Sequence, residues 1–160
     1  MKQGSTLFLK TAIILIGIPV LALCIFLVPN IGKYAAELFP DIAFIKYLVL
    51  INLYATVIPF YFALYQAFKL VSFIDKGNAF SKLSVRALKK IKNCAVTISI
   101  LYVVGMPLFY LVAERDDAPG IIILGMLLIF ASMVIAVFAA VLQRLLKDAI
   151  DIKSENDLTV

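Results

Sequence analysis

Four uninterrupted apolar runs constrain this 160-residue chain more than anything else in it. They extend from Thr11 to Val28, Tyr47 to Phe68, Cys94 to Ala113 and Ile121 to Leu142, and no charged residue falls inside any of them. A helix needs about 20 apolar residues to cross about 30 Å of hydrocarbon, and each run meets this within its flanks. Apolar residues make up 64% of the chain, where soluble domains hold about 45–50%. Disorder is excluded by the same numbers, because it requires low hydrophobicity and high charge. The expected fold is all-α: one integral-membrane four-helix bundle over residues 1–160, with spans at 11–28, 47–68, 94–113 and 121–142.

The first run has some features of a cleaved leader. Lys2 and Lys10 give it a positive start, and Leu21-Ala22-Leu23-Cys24 has the outline of a lipoprotein cleavage box. The residue before such a cysteine is normally small, however, and apolar residues continue through Val28 where a processed protein turns polar. A retained helix is the better reading.

Basic residues set the expected orientation. The connection at 69–92 carries Lys69, Lys76, Lys82, Arg86, Lys89, Lys90 and Lys92 against Asp75 alone, a net charge of +6. Charges between the first two spans cancel (Lys33, Glu37, Asp41, Lys46), and the turn Glu114-Arg115-Asp116-Asp117 nets −2. Lys and Arg are retained on the cytoplasmic side, so both termini and the middle connection are expected inside, in the plasma membrane of a cell.

Asp75-Lys76-Gly77-Asn78 reads as a turn, since Gly and Asn tolerate positive φ, and Ser81 is placed to cap a helix beginning after Phe80. Phe80, Leu83, Ala87, Leu88, Ile91, Cys94 and Ala95 then share one arc, while Lys82, Arg86, Lys89, Lys90 and Asn93 share the other. That pattern predicts a cytoplasmic amphipathic basic helix leading into the third span. Two readings stand side by side: an anchor on anionic lipids of the bilayer, and a docking face for a cytoplasmic partner. Direct nucleic-acid binding is not expected, because the segment carries no base-reading motif.

Past Leu142, residues Leu145, Leu146, Ala149 and Ile150 keep helical spacing, so the fourth helix is expected to project by two to three turns into a carboxyl-terminal extension, 143–160. Its acidic tail, Asp151 to Asp157, is a candidate to neutralise the basic helix, and Leu158 and Val160 form a candidate terminal docking patch.

Gly77-Asn78-Ala79-Phe80-Ser81, followed by Val85, Leu88, Lys89 and Ile91, resembles the loop-and-helix signature of the YoaS-type family of small four-span bacterial membrane proteins. Glu155 to Val160 resembles that family's ending. Ala79 stands where the family pattern has Pro, and Ser84 where it has Asn. The family has no established activity; its frequent occurrence beside a small helix-turn-helix regulator implies a DNA-binding regulator as a partner.

The second span is the most polar. Asn52, Thr56, Pro59, Ala63 and Gln66 form one seam, either helix glue or the lining of a ligand cavity, and Tyr47, Tyr54, Tyr61 and Phe68 recur every seven residues on nearly the opposite side. Pro19, Pro59 and Pro107 each free a carbonyl four residues earlier, at Leu15, Ala55 and Val103, and kinks there would either shape a vestibule or simply fit the helices together. Ser132, Ala136 and Ala140 give a close-approach face for a helix of the same chain or of a second copy in a homo-oligomer.

Chemistry is scarce. The chain has no His, and its two thiols, Cys24 and Cys94, sit in separate spans as packing residues. Common zinc ligand sets cannot be assembled, the usual general base is missing, and no acid lies at the centre of a span as ion-coupled transport normally requires. No catalytic residue, metal or cofactor is expected.

The leading reading is therefore a non-enzymatic inner-membrane protein, a sensor or sequestering partner of a cytoplasmic regulator. It would act through Phe80, Lys82, Arg86, Lys89, Lys90, Leu158 and Val160. The alternative is a small channel, exporter or immunity protein against a membrane-active peptide, acting through the polar seam Asn52, Thr56 and Gln66.

Overall fold

A computed structural model describes residues 3–159 of the chain, and over them it consists of four α-helices. These are α1 (Gln3–Leu38), α2 (Ile45–Asp75), α3 (Lys82–Arg115) and α4 (Gly120–Thr159). All four are long and apolar enough to cross a membrane. Each also overruns its apolar run. α1 continues past Val28, through Pro29, to Leu38. The basic segment and the third span are one unbroken helix, α3. α4 runs to Thr159, beyond the two to three turns expected, which extends it about 25 Å past Leu142 at about 1.5 Å per residue.

Short turns make consecutive helices antiparallel, and each packs on its chain neighbour: α1 on α2, α2 on α3, α3 on α4. α1 meets α3 only marginally, and no described Cα of α1 comes within 8 Å of α4. The expected bundle is thus open on one side. α3 is its centre, with buried positions such as Ala87, Ala95, Ser99 and Gly105 spread along its whole length.

The α3–α4 seam explains the small residues of α4. Gly125, Ile129, Ser132, Ala136, Ala139, Gln143, Leu146 and Ile150 recur at alternating steps of four and three, the repeat of a left-handed helix pair. Ala136 and Ala139 are buried, and only α3 is close enough to bury them. At Gly125 a Cβ would stand 2.8 Å from the Met106 sulfur and 3.1 Å from the Phe109 ring, so glycine sets how closely the helices approach. Of the Ser132, Ala136 and Ala140 face, Ala136 is committed to packing within the chain.

Two turns fix the register. α2 ends in a glycine motif: Gly77 takes φ +79°, and the Asn78 amide reaches back to the Phe73 carbonyl at 2.7 Å. Ser81 then caps α3, its hydroxyl accepting from the Ser84 amide at 3.3 Å and donating to the Asn78 carbonyl at 2.6 Å. Ser84, fully buried, donates to the same carbonyl at 3.1 Å. Between α3 and α4 the left-handed position falls on Asp117, at φ 51°, with the Ala118 amide bonded to the Ala113 carbonyl.

At the Arg115 end, Ala35, Phe39, Ile45, Val49 and Val112 form a buried apolar cluster that draws on α1, α2, α3 and the turn between the first two. Arg115 closes it. Its guanidinium lies 4.3 Å from the centre of the Phe39 ring and donates to the Leu38 carbonyl at 3.3 Å and the Asp41 carboxylate at 2.9 Å.

Candidate functional site

α2 presents different chemistry to its two neighbours. Towards α3, Asn52 Nδ2 donates to the Leu101 carbonyl at 3.0 Å, and the Thr56 hydroxyl bonds the Leu53 carbonyl at 2.7 Å and the Tyr102 hydroxyl at 3.3 Å. Gln66 is buried on the same seam, 4% exposed. Asn52 Oδ1 is buried with no hydrogen-bond partner. At Gly105 a Cβ would come within 2.7 Å of the Asn52 amide, so the absence of a side chain there admits the carboxamide. Asn52 and Thr56 are thereby used in holding α2 to α3.

Towards α1 the heptad aromatics act as rungs. Tyr54 donates to the Cys24 carbonyl at 3.0 Å, Tyr61 donates to the Gly17 carbonyl at 2.6 Å, and the Lys10 ammonium lies 5.4 Å from the Phe68 ring centre. Each rung steps seven residues along both helices in opposite directions. The period was visible in the sequence, but its partner was not, because α1 has no polar stripe to mark its docking face. The side-chain bonds reach Gly17 and Leu101, and not the proline-freed carbonyls of Leu15 and Val103. A helical carbonyl keeps a second lone pair, so register, not vacancy, selects the acceptor.

At the basic end, Lys82, Arg86, Lys89 and Lys90 are exposed, as is Phe80, which lies off the buried arc. Ala87, Leu88, Cys94 and Ala95 of the apolar arc are buried against protein. Leu158 is 83% exposed, and Val160 lies outside the described residues. Asp75, the one acid of the connection, accepts from the Thr6 hydroxyl at 2.9 Å and lies 3.8 Å from the Lys10 ammonium. The described ion pairs are this one and Arg115–Asp41, so the expected neutralisation of the basic helix by the tail is not among them.

Instead, the two helices frame a continuous groove. Its outermost part, about 370 Å³, lies between Lys82, Arg86 and Lys89 on α3 and Gln143, Lys147 and Asp151 on α4. The next part, about 460 Å³, is lined by Lys92, Gln143, Arg144, Lys147, Asp148 and Asp151. Beyond Ala140 the lining turns apolar for a further 470 Å³, through Val96, Val103, Ala136 and Val137. In the sequence Lys92 enters only the net charge of the 69–92 connection, and Arg144 and Lys147 lie about fifty residues on. The alignment of α3 with α4 brings them together.

A second cavity, about 240 Å³, lies near the Arg115 end, lined from all four helices by residues including Tyr34, Leu53, Phe109, Val112, Leu124 and Gly125. Neither Asn52, Thr56 nor Gln66 reaches it. None of Pro19, Pro59 and Pro107 lines this apolar cleft between α1 and α4. Arg115 beside it holds the Asp41 carboxyl below the ordinary carboxylate range by donating to it.

Comparison with known proteins gives a family but no activity. Residues 30–160 match the family model DUF2975, described as a protein of unknown function. The chain is 76% identical over 160 residues to the uncharacterized membrane protein YoaS of Bacillus subtilis (strain 168), covering 100% of both chains. No solved structure matches.

Proposed function

The chain belongs to the DUF2975 family of membrane proteins of unknown function, and from that premise we propose a non-enzymatic sensor or sequestering protein that engages a cytoplasmic helix-turn-helix regulator. One observation carries this reading. α3 and α4 continue as helix past their apolar runs, holding Lys82, Arg86, Lys89 and Lys90 towards water on a surface that crossing a membrane does not require. In the proposed orientation this basic end and both termini lie in the cytoplasm, where Lys and Arg are retained.

Ala87, Leu88, Cys94 and Ala95 of the apolar arc are spent on protein packing, while Phe80 and Leu83 at its start stay exposed, which favours a projecting docking face with its own apolar contacts over a helix lying flat on lipid. The cleft between α1 and α4 supplies the sensing end. At about 240 Å³ it is smaller than a typical drug-sized site and suits a short lipophile or part of an acyl chain. Occupancy there would act on α1 and α4 together, and α4 is also the helix that projects.

The test is recruitment. A small DNA-binding protein should co-purify with native membranes containing the wild-type chain. Reversing Lys82, Arg86, Lys89 and Lys90 to Glu should release it, with the membrane protein still present at normal abundance. Recruitment that survives the four reversals, or no such protein at the membrane, overturns the reading. The channel, exporter or immunity alternative rested on Asn52, Thr56 and Gln66, and two of these three are hydrogen-bonded at the α2–α3 contact.

A further inference from the structure

We propose that the α3–α4 groove is a specific site for one anionic phospholipid, its phosphate held among Lys92, Arg144 and Lys147 and an acyl chain laid along the apolar trough beyond. The polar and apolar parts of the groove share Lys92 and Ala140 in their linings, so they form one channel whose chemistry changes at a single level. That level is the hydrocarbon boundary. Lys92 is the last charge before the third apolar run, and Arg144 is the first charge after the fourth. A phosphodiester with attached chains has the same order of chemistry, an anion first and hydrocarbon next.

Charge complementarity identifies the occupant. Three cations line the polar part together with Gln143, and Asp148 and Asp151 lie in the same lining. Three cations against two carboxylates leave this lining net positive, which favours a lipid of net negative charge over a zwitterionic one, with its phosphate at the cations and its headgroup hydroxyls donating to the carboxylates. The floor of the trough is low because Ala136 and Ala140 carry only a methyl group, leaving about 470 Å³ beside the seam. The site is independent of the regulator reading, since Lys92, Arg144 and Lys147 are not among the residues that reading uses.

Native mass spectrometry of the full chain in detergent tests it, with phosphatidylglycerol and phosphatidylcholine added as probes. One phosphatidylglycerol should be retained per chain in preference to phosphatidylcholine. Lys92→Gln/Arg144→Gln/Lys147→Gln should lower its affinity on the order of a hundredfold, each cation contributing roughly equally. Ala140→Phe, which fills the trough and leaves every charge in place, should also release it. The control Lys33→Gln/Lys46→Gln/Lys76→Gln removes the same charge elsewhere and should retain lipid at the wild-type level. Equal loss in both triple variants would mean diffuse attraction and no site. A complex that drops from dimer to monomer in Ala140→Phe with lipid retention unchanged would make the groove a seat for a second copy. Either result, or unselective retention of both lipids, overturns the proposal.

Discussion

The Asn52 carboxamide lies directly against Gly105, with Nδ2 donating to the Leu101 carbonyl at 3.0 Å and no room at position 105 for a methyl group. Amide and glycine form a lock between α2 and α3. Gly105→Ala should destabilise the protein in micelles by about 1–3 kcal/mol, the usual cost of overpacking a tight contact. Adding Asn52→Ala should return part of that loss, with a coupling of at least about 0.5 kcal/mol between the two positions. Thermal unfolding of the four members of the cycle checks it, and additive effects would show that the two side chains do not meet.

The rungs between α1 and α2 predict a graded loss. Tyr54→Phe and Tyr61→Phe each remove one bond to an α1 carbonyl and should each cost around 0.6 kcal/mol, at most about 1.7, as interhelical bonds in membranes do. The double variant should raise hydrogen exchange in α1 while leaving α3 and α4 unchanged, because α1 rests almost wholly on α2.

Asp117 occupies a left-handed backbone position that a side chain disfavours. Asp117→Gly removes that strain and should stabilise the protein by up to about 1 kcal/mol, read as a higher unfolding temperature. Asp117→Val, β-branched, should lower it.

The Arg115–Asp41 pair gives a pH dependence with a definite sign. The Asp41 carboxyl is held below its ordinary value of 3.8, mainly by the hydrogen bond from Arg115, so the pair contributes in full above that value. The contribution disappears as pH falls through the lowered value. The unfolding temperatures of wild type and Arg115→Gln should therefore differ at pH 7 and converge as the pH is taken below the ordinary carboxylate range. The difference is small, because both partners are exposed.

The proposed orientation is open to labelling. A thiol at Asn78, exposed beside Gly77, should react with a membrane-impermeant maleimide only after cells are opened. A thiol at Asp116, exposed in the opposite turn, should react in intact cells. Native Cys24 and Cys94 are buried and should contribute little background.

The helices were legible because length and hydrophobicity are local properties, and Gly77 and Ser81 announced one turn through backbone chemistry alone. What faces what was not legible. The Tyr54 and Tyr61 repeat was plain, yet its acceptors are backbone carbonyls, which no residue type marks. Arg115 was counted into an acidic turn, when its partners Leu38, Phe39 and Asp41 lie more than seventy residues away in sequence. The lysines of the connection were read by their sum, and only the register of α3 on α4 sorts them into a groove.

Because the first and last helices never meet, the molecule has a hinge side and an unsealed side. The first helix rests on α2 along its length and is tied to α3 only at one end, where Arg115 reaches Leu38. In a bilayer, the wall missing from the unsealed side would have to be completed by lipid.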